Sequence, residues 1–248
     1  MKYYVVSDIH GYFTQFKNIL EQAGYFTDSE PHKLVILGDL FDRGYEADAL
    51  QQFVLDLMDQ DRVILIRGNH EDLFRKLITT DHGVLYSHHL HNGTFDTVLQ
   101  LSKLDYIDAL SGEKLIAEAE KTPYNSRIIP AMRDYYETDH YIFVHGWIPC
   151  NESAEGYSFM ENWRTAGAEE WARARWYNGM DAAQTVTIER KTIVCGHWHA
   201  SYGHSKFENK GSEFGADADF SPYYGKGIIA IDACTAHSGT VNCIVVED

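Results

Sequence analysis

The sequence predicts an α/β fold in a single domain, and three observations carry the prediction. Seven short apolar runs, most of them rich in Val and Ile, recur along the 248 residues and read as buried strands. Amphipathic segments separate the first three runs, giving the strand–helix–strand–helix–strand order of a parallel sheet. Five of the runs lead within three residues into short motifs that carry Asp, Asn or His.

The first run, Tyr3 to Val6, leads into Ser7-Asp8-Ile9-His10-Gly11. A helix is expected over Tyr12 to Ala23, with Phe13, Phe16, Ile19, Leu20 and Ala23 at helical spacing and Gly24 closing it. The second run, Lys33 to Leu37, leads into Gly38-Asp39-Leu40-Phe41-Asp42-Arg43-Gly44. Glu46 to Gln60 reads as the second helix, with Leu50, Phe53, Val54, Leu57 and Met58 on one stripe. Val63 to Ile66 follows as a strand and runs into Arg67-Gly68-Asn69-His70-Glu71. From about Leu73 to Asp139 the chain reads as a helical insertion packed beside the sheet, with a His-rich patch at His82, His88, His89 and His91. Tyr141 to Val144 ends at His145-Gly146, and Thr192 to Cys195 ends at Gly196-His197-Trp198-His199. An irregular stretch between them, Asn151 to Arg190, carries Trp163, Trp171 and Trp176. Gly227 to Ile231 and Val241 to Val246 complete the set.

The formal net charge is −16, from 37 acidic and 21 basic residues, which repels nucleic-acid backbones and anionic membranes. Neither nucleic acid nor a membrane is therefore expected as a partner. Cys150, Cys195, Cys234 and Cys243 form no CxxC pair; Cys195 and Cys243 lie in apolar runs and read as buried reduced thiols. Met1-Lys2 enters the first strand without a basic–apolar leader, and no apolar run approaches a membrane span, so a cytoplasmic location is expected.

In open α/β sheets, ligands bind at the carboxyl ends of the strands. Five strand ends bearing Asp, Asn and His therefore converge on one edge, where buried carboxylates and imidazoles are costly unless a cation compensates them. Taken singly, each motif has an ordinary reading. An Asp after a strand caps a helix, and Asn69-His70-Glu71-Asp72 can simply open one. Taken together they point to a metal site. Imidazole and carboxylate without thiolate suit Mn, Fe, Zn, Co or Ni better than Ca or Mg. Asp39, between the other candidates in chain order, is the expected bridge between two ions.

At these residues the chain resembles the calcineurin-like metallophosphoesterase superfamily, and within it the phosphoprotein phosphatase branch of bacterial and phage lambda type serine/threonine phosphatases. The blocks are Ser7 to Gly11, Gly38 to Gly44 (GDLFDRG), Gly68 to Glu71 (GNHE), Val144 to Gly146 and Cys195 to His199, with His91-Asn92-Gly93-Thr94 similar to a further block of bacterial members. The resemblance implies an α/β sandwich of two mixed sheets flanked by helices. It implies two divalent ions, manganese first, with iron, zinc, nickel or cobalt as alternatives. Asp8, His10 and Asp39 should hold one ion, and Asp39, Asn69, His145 and His197 the other. His199 should be a further ligand of the first. By the same resemblance His70 donates a proton to the leaving group, Asp42 orients it, and Arg43 contacts phosphate. Arg173 is the choice for a second phosphate contact, with Arg175 and Arg164 as alternatives.

The implied activity is phosphoester hydrolysis by a metal-bridging hydroxide, on a phosphorylated protein or a small phosphoester. Within the same chemistry the rival substrate is a dinucleoside polyphosphate, since the aromatic segment Tyr157 to Tyr177 is suited to stacking a base. The other rival is a binding module that keeps the fold without turnover. The sequence departs from the branch pattern at Ser7, at Trp198 and at Ala233-Cys234, and none of these removes a ligand.

Overall fold

The computed structural model describes residues 1–248. Eleven strands form two mixed sheets and one hairpin. In the first sheet β1 (Lys2–Val6), β2 (His32–Ile36) and β3 (Val63–Leu65) run parallel, while the last strand, Cys243–Glu247, pairs antiparallel with β1. The second sheet takes β4 (Tyr136–Glu137) and β5 (Tyr141–Phe143). The hairpin β6 (Cys150–Ser153) and β7 (Gly156–Phe159) stands apart. The second sheet resumes with β8 (Thr192–Cys195), β9 (Tyr223–Gly225) and β10 (Ile228–Ala230). Here β5, β8 and β10 are parallel, and β4 and β9 flank them antiparallel. Cys243–Glu247 is β11.

Side-chain alternation explains why the sheets stack. Tyr3, Val5, Val35, Leu37, Phe143, Val194 and Ile231 share one buried cluster between the sheets. Their neighbours Tyr4, Val6, Leu34 and Ile36 turn to the opposite face, where they join a second core. Against that face pack α1 (Phe13–Gln22), α2 (Ala47–Asp59) and α3 (Asn69–Thr79), through Phe16, Leu20, Leu50, Val54, Phe74 and Leu77. Gly24 follows α1 with φ +85°, a turn that glycine makes without strain. Strands buried on both faces need continuous apolar runs, and those runs are what the sequence displays.

Between β3 and β4 lie α4 (Ser87–His91), α5 (Thr94–Ser102), α6 (Tyr106–Ala109) and α7 (Gly112–Lys121), then a π-turn over Tyr124–Ile128 and the short α8 (Ile129–Ala131). This helical stretch shares the core of the first sheet through Phe95, Val98, Leu115 and Tyr124. The outer face of the second sheet is covered by α9 (Ala168–Ala174) and α10 (Gly179–Ala182), with Trp147, Trp163 and Trp171 in its core. There α11 (Ala200–Phe207) adds Ala200. The short α12 (Thr235–Ser238) follows β10. Two of the three tryptophans in the irregular stretch, Trp163 and Trp171, are thus core, while Trp176 is half exposed. The sequence did not reveal β4, β9 or the β6–β7 hairpin, because these short strands are largely half-buried or exposed and carry no continuous apolar run. Cys150 and Cys195 are buried free thiols, whereas Cys243 is only half-buried. No helix is long and apolar enough to cross a membrane.

Phe143 is fully buried between the sheets. Its truncation in Phe143→Ala should cost about 3–5 kcal/mol in denaturant unfolding, the range for deleting a buried aromatic ring. A loss under about 1 kcal/mol would show that the sheets do not close on this ring.

Candidate metal centre

Six parallel strands of the two sheets end on the same side, and each end supplies a polar side chain to one buried cluster. The β1 end gives Asp8 and His10, β2 gives Asp39, Asp42 and Arg43, and β3 gives Asn69 and His70 at the start of α3. From the second sheet come His145 after β5, His197 after β8 and Asp232 after β10. The backbone is bent hard to achieve this. Asp8, His10, Asp39, Asp42, Arg43 and His197 all have φ between +50° and +73°. Each such non-glycine residue costs about 1–2 kcal/mol, a strain that is held only where the surroundings fix it.

Asp39 is the hub. Its Oδ1 accepts the His70 N–H at 3.0 Å and lies 3.4 Å from His145 Nε2. Its Oδ2 lies 3.9 Å from His10 Nε2 and 3.8 Å from His70 Nε2. Two groups of potential metal ligands share it, namely His10, Asp39 and His70, and Asp39, His145 and His197. The imidazoles are aimed by backbone carbonyls. His10 Nδ1 donates to the Phe41 carbonyl at 2.9 Å and His145 Nδ1 to the Leu37 carbonyl at 2.6 Å. Each Nε2 is therefore left with a lone pair facing the cluster, the tautomer a metal ligand needs. His145 Nε2 lies 2.8 Å from the Asn69 side-chain amide, so both side chains are aimed at the same point of the cluster.

The electrostatics agree. Burial, then the neighbouring Asp39 charge, pushes Asp8 up to about 7, and burial likewise raises Asp39 to about 7 despite His70. Burial, then Asp8, raises Asp232 well above the carboxylate range. Burial holds His10 and His145 well below the usual imidazole value, and lowers His197 to about 4, so all three are neutral donors near neutral pH. This donor set fits divalent transition-metal ions, which would take Asp39, His10, His145, His197 and Asn69 as ligands. Asp8 sits beside them with Oδ2 accepting the Ser7 hydroxyl and, at 2.9 Å, the His197 N–H.

Two supports of this cluster escaped the sequence reading. The wholly buried Glu71 carboxylate accepts the N–H groups of Gly68, Asp39 and Leu40 at 2.7–3.1 Å, and the Tyr124 hydroxyl at 3.0 Å. It locks the β2 and β3 ends together. The signal was its place at the third position of α3, where an acidic side chain reaches back to the cap. Gly68 is required at the same junction, because a Cβ there would stand 2.1 Å from Asp39 Oδ1. Asp232 is the other omission, although it too follows a strand and lies in the cleft.

His70 differs from the other imidazoles. Its Nδ1 lies 2.6 Å from Asp42 Oδ2. Burial alone would lower its pKa, but Asp39 and Asp42 outweigh it and hold the ring up at about 9. Asp42 is itself seated by the helical insertion, accepting the hydroxyls of Thr94 at 3.0 Å and Thr97 at 2.6 Å. Arg43 reaches His10 Nε2 at 3.1 Å and His70 Nε2 at 3.3 Å from the mouth. It lines a cleft of about 260 Å³ with Trp176, His197, Trp198, His199, Asp232 and Cys234.

The structure does not bring every predicted residue to the cluster. His199 Nε2 lies 2.8 Å from Glu213 at the cleft rim, outside both ligand groups. Arg173 is exposed and lies 3.6 Å from Glu170. Arg164 is held by Glu137 on both arms. Arg175 is buried and paired to Asp72 and Asp134 at 2.6 and 2.7 Å, near enough for its charge to lower His145.

The family described as calcineurin-like phosphoesterase matches residues 1–201, a stretch that holds every candidate ligand except Asp232. The chain belongs to that family. Bis(5'-nucleosyl)-tetraphosphatase PrpE of Anoxybacillus flavithermus is 32% identical over 78 residues, 29% of this chain and 32% of that protein. PrpE of Bacillus cereus is 32% identical over 96 residues, covering 34% and 39%. The chain thus spans about a third of the length of the curated relatives it matches. A cold-active protein-tyrosine phosphatase of a psychrophilic Shewanella superposes with a TM-score of 0.55 at 17% identity, covering 100% of this chain and 75% of that one. At that identity the likeness concerns the fold of two mixed sheets and flanking helices.

In the metal-free protein the folded values of Asp8 and Asp39 lie above the unfolded one. Ionising them therefore costs the fold stability as pH rises from 3.8 to about 7. A bound cation removes that cost and need displace no proton above this window. Added Mn²⁺ should therefore raise the melting temperature more at pH 7.5 than at pH 5; equal gains at both would refute ligation by these carboxylates.

Proposed function

We propose that the chain is a two-metal phosphoester hydrolase whose preferred substrate is a dinucleoside polyphosphate. The observation that carries the hydrolase reading is the placing of Asp39 between neutral imidazoles, His10 near one oxygen and His145 near the other, with a protonated imidazole, His70, turned toward the same carboxylate. A pair of divalent ions held by Asp8, His10, Asp39, Asn69, His145 and His197 would supply Lewis acidity and an activated water at neutral pH. Manganese is the first choice, with iron, zinc, nickel or cobalt as alternatives.

The rest is done by the chain itself. Arg43, at the cleft mouth and between His10 and His70, is placed to bind equatorial phosphate oxygens and to balance their charge. His70 Nε2 carries the proton for the departing oxygen, and Asp42 on Nδ1 keeps that proton available and the ring aimed. Thr94 and Thr97 hold Asp42 in turn. Neither a cysteine nor a serine nucleophile is needed, and Cys234, the thiol in the cleft, is raised by burial to about 11. Arg175 is the nearest candidate for a second phosphate contact, and engaging substrate would require it to leave Asp72 or Asp134.

For the substrate, the support is the half-exposed Trp176 ring, which stands edge-on to His197 at 5.6 Å and gives a base a face to stack on. The PrpE relatives are named for a dinucleoside tetraphosphate activity. A second reading, a phosphoserine or phosphothreonine protein as substrate, is favoured by GDLFDRG and GNHE, the blocks that resemble the phosphoprotein phosphatase branch.

His70→Asn should lower turnover by about 10²–10⁴-fold with metal content unchanged. Unaltered turnover would remove His70 from the reaction. With Mn²⁺, a dinucleoside tetraphosphate should be hydrolysed with a higher kcat/KM than a phosphoserine peptide, and Trp176→Ala should raise KM for the dinucleotide while sparing an aliphatic phosphate ester. The opposite ranking, with KM untouched in the variant, would favour the phosphoprotein reading.

A further inference from the structure

The helical insertion holds a separate group of metal-ligating side chains. Asp81 follows α3, and His88 and His89 lie in the first turn of α4. Asp81 Oδ2 stands 2.7 Å from His89 Nε2 and 3.3 Å from His88 Nε2, and the ligand atoms of all three lie within 4.8 Å of one another. His89 is fully buried and the Asp81 side chain is 9% accessible. One imidazole N–H satisfies this carboxylate oxygen, so the second imidazole is surplus to an ordinary ion pair. His88 Nε2 is buried and has no hydrogen-bond partner. The stacked ring of Tyr86, at 5.9 Å and 12°, backs His88.

The spacing suits an ion. Two bonds of about 2.0–2.1 Å meeting at a tetrahedral angle set their ligand atoms about 3.3 Å apart, which is the His88–Asp81 separation. His89 Nε2, at 2.7 Å from Asp81, needs to move back by about 0.6 Å to reach the same spacing. Burial, opposed by Asp81, leaves the His89 imidazole below its usual value, as a neutral donor. Lys76, 4.0 Å from Asp81, is half exposed and free to turn to water. His82 and His91 take no part: both are exposed, and His91 Nδ1 bonds the Ser87 carbonyl at 2.7 Å.

We propose that Asp81, His88 and His89 form an accessory site for a divalent transition metal of the zinc class, with water completing the shell. The site ties the turn after α3 to α4. The chain continues from α4 through Gly93, whose backbone lies against Arg43, into α5 with Thr94 and Thr97. An ion there stiffens the platform behind Asp42 and His70 without approaching the substrate. The inference is independent of the catalytic reading.

The test is Zn²⁺ binding by the full chain, read as retained metal after desalting and as the visible spectrum after Co²⁺ substitution. Wild type should retain one more equivalent than His88→Ala and than Asp81→Asn, and both variants should lose one set of Co²⁺ bands. Ions at the Asp39 cluster are common to all three proteins and cancel in the difference. His88 is a third exposed, so its truncation leaves the core intact, and circular dichroism checks this. If His88→Ala does not fold, Asp81→Asn, which keeps the side-chain volume, decides alone. Equal metal content and identical Co²⁺ spectra would overturn the proposal.

Discussion

The structure depends on one buried anion. Asp39 is placed, almost without solvent, where His10, His70 and His145 converge and where Asp8 is its neighbour. Two carboxylates cannot share a dry site cheaply, and of the imidazoles around them only His70 carries a countercharge, while His10 and His145 are neutral. A cation is the economical answer, and with His10 near one oxygen of Asp39 and His145 near the other there is room for a pair. What surrounds Asp39 serves to hold this unfavourable arrangement together before any ion arrives.

Three devices do so. The backbone takes left-handed turns at six cluster residues, a cost borne where side chains must leave the strand ends at angles that regular turns do not provide. Glu71 ties the amides after β2 and β3 to one carboxylate, so the two loops move as a unit. Gly196 and Gly68 allow strand ends to approach within contact of Asp8 and Asp39, where any Cβ would overlap a ligand oxygen. The three reinforce one another: loosening any of them lets the carboxylates separate and find water.

The helical insertion is part of the site rather than decoration beside it. Through Thr94 and Thr97 it fixes Asp42, and through Asp42 it sets the protonation and aim of His70. The second sheet contributes differently. It brings His145 and His197 across the sandwich and places Trp176 and Trp198 on the cleft wall. Phosphate chemistry is thus assembled by both sheets, while the shape offered to the rest of a substrate comes from the second sheet and its loops.

The sequence by itself determined the α/β class, seven of the eleven strands, the first two helices and the blocks whose side chains gather at one edge. These are local properties: apolar runs report burial on both faces, and a polar residue placed directly after a strand reports the edge at which it emerges. It also carried Glu71 and Asp232 in plain view, but neither differs from an ordinary cap or turn residue until its partners are known. Only the tertiary structure decided which arginine lies near the cluster. Arg173 and Arg175 are two residues apart on one helix, and a rotation of about 200° along the helix separates an exposed side chain from a buried one. It likewise turned His199 toward Glu213 and His88 and His89 toward Asp81. Such pairings join residues across loops, where no periodicity constrains direction, so they become legible only once the chain has folded.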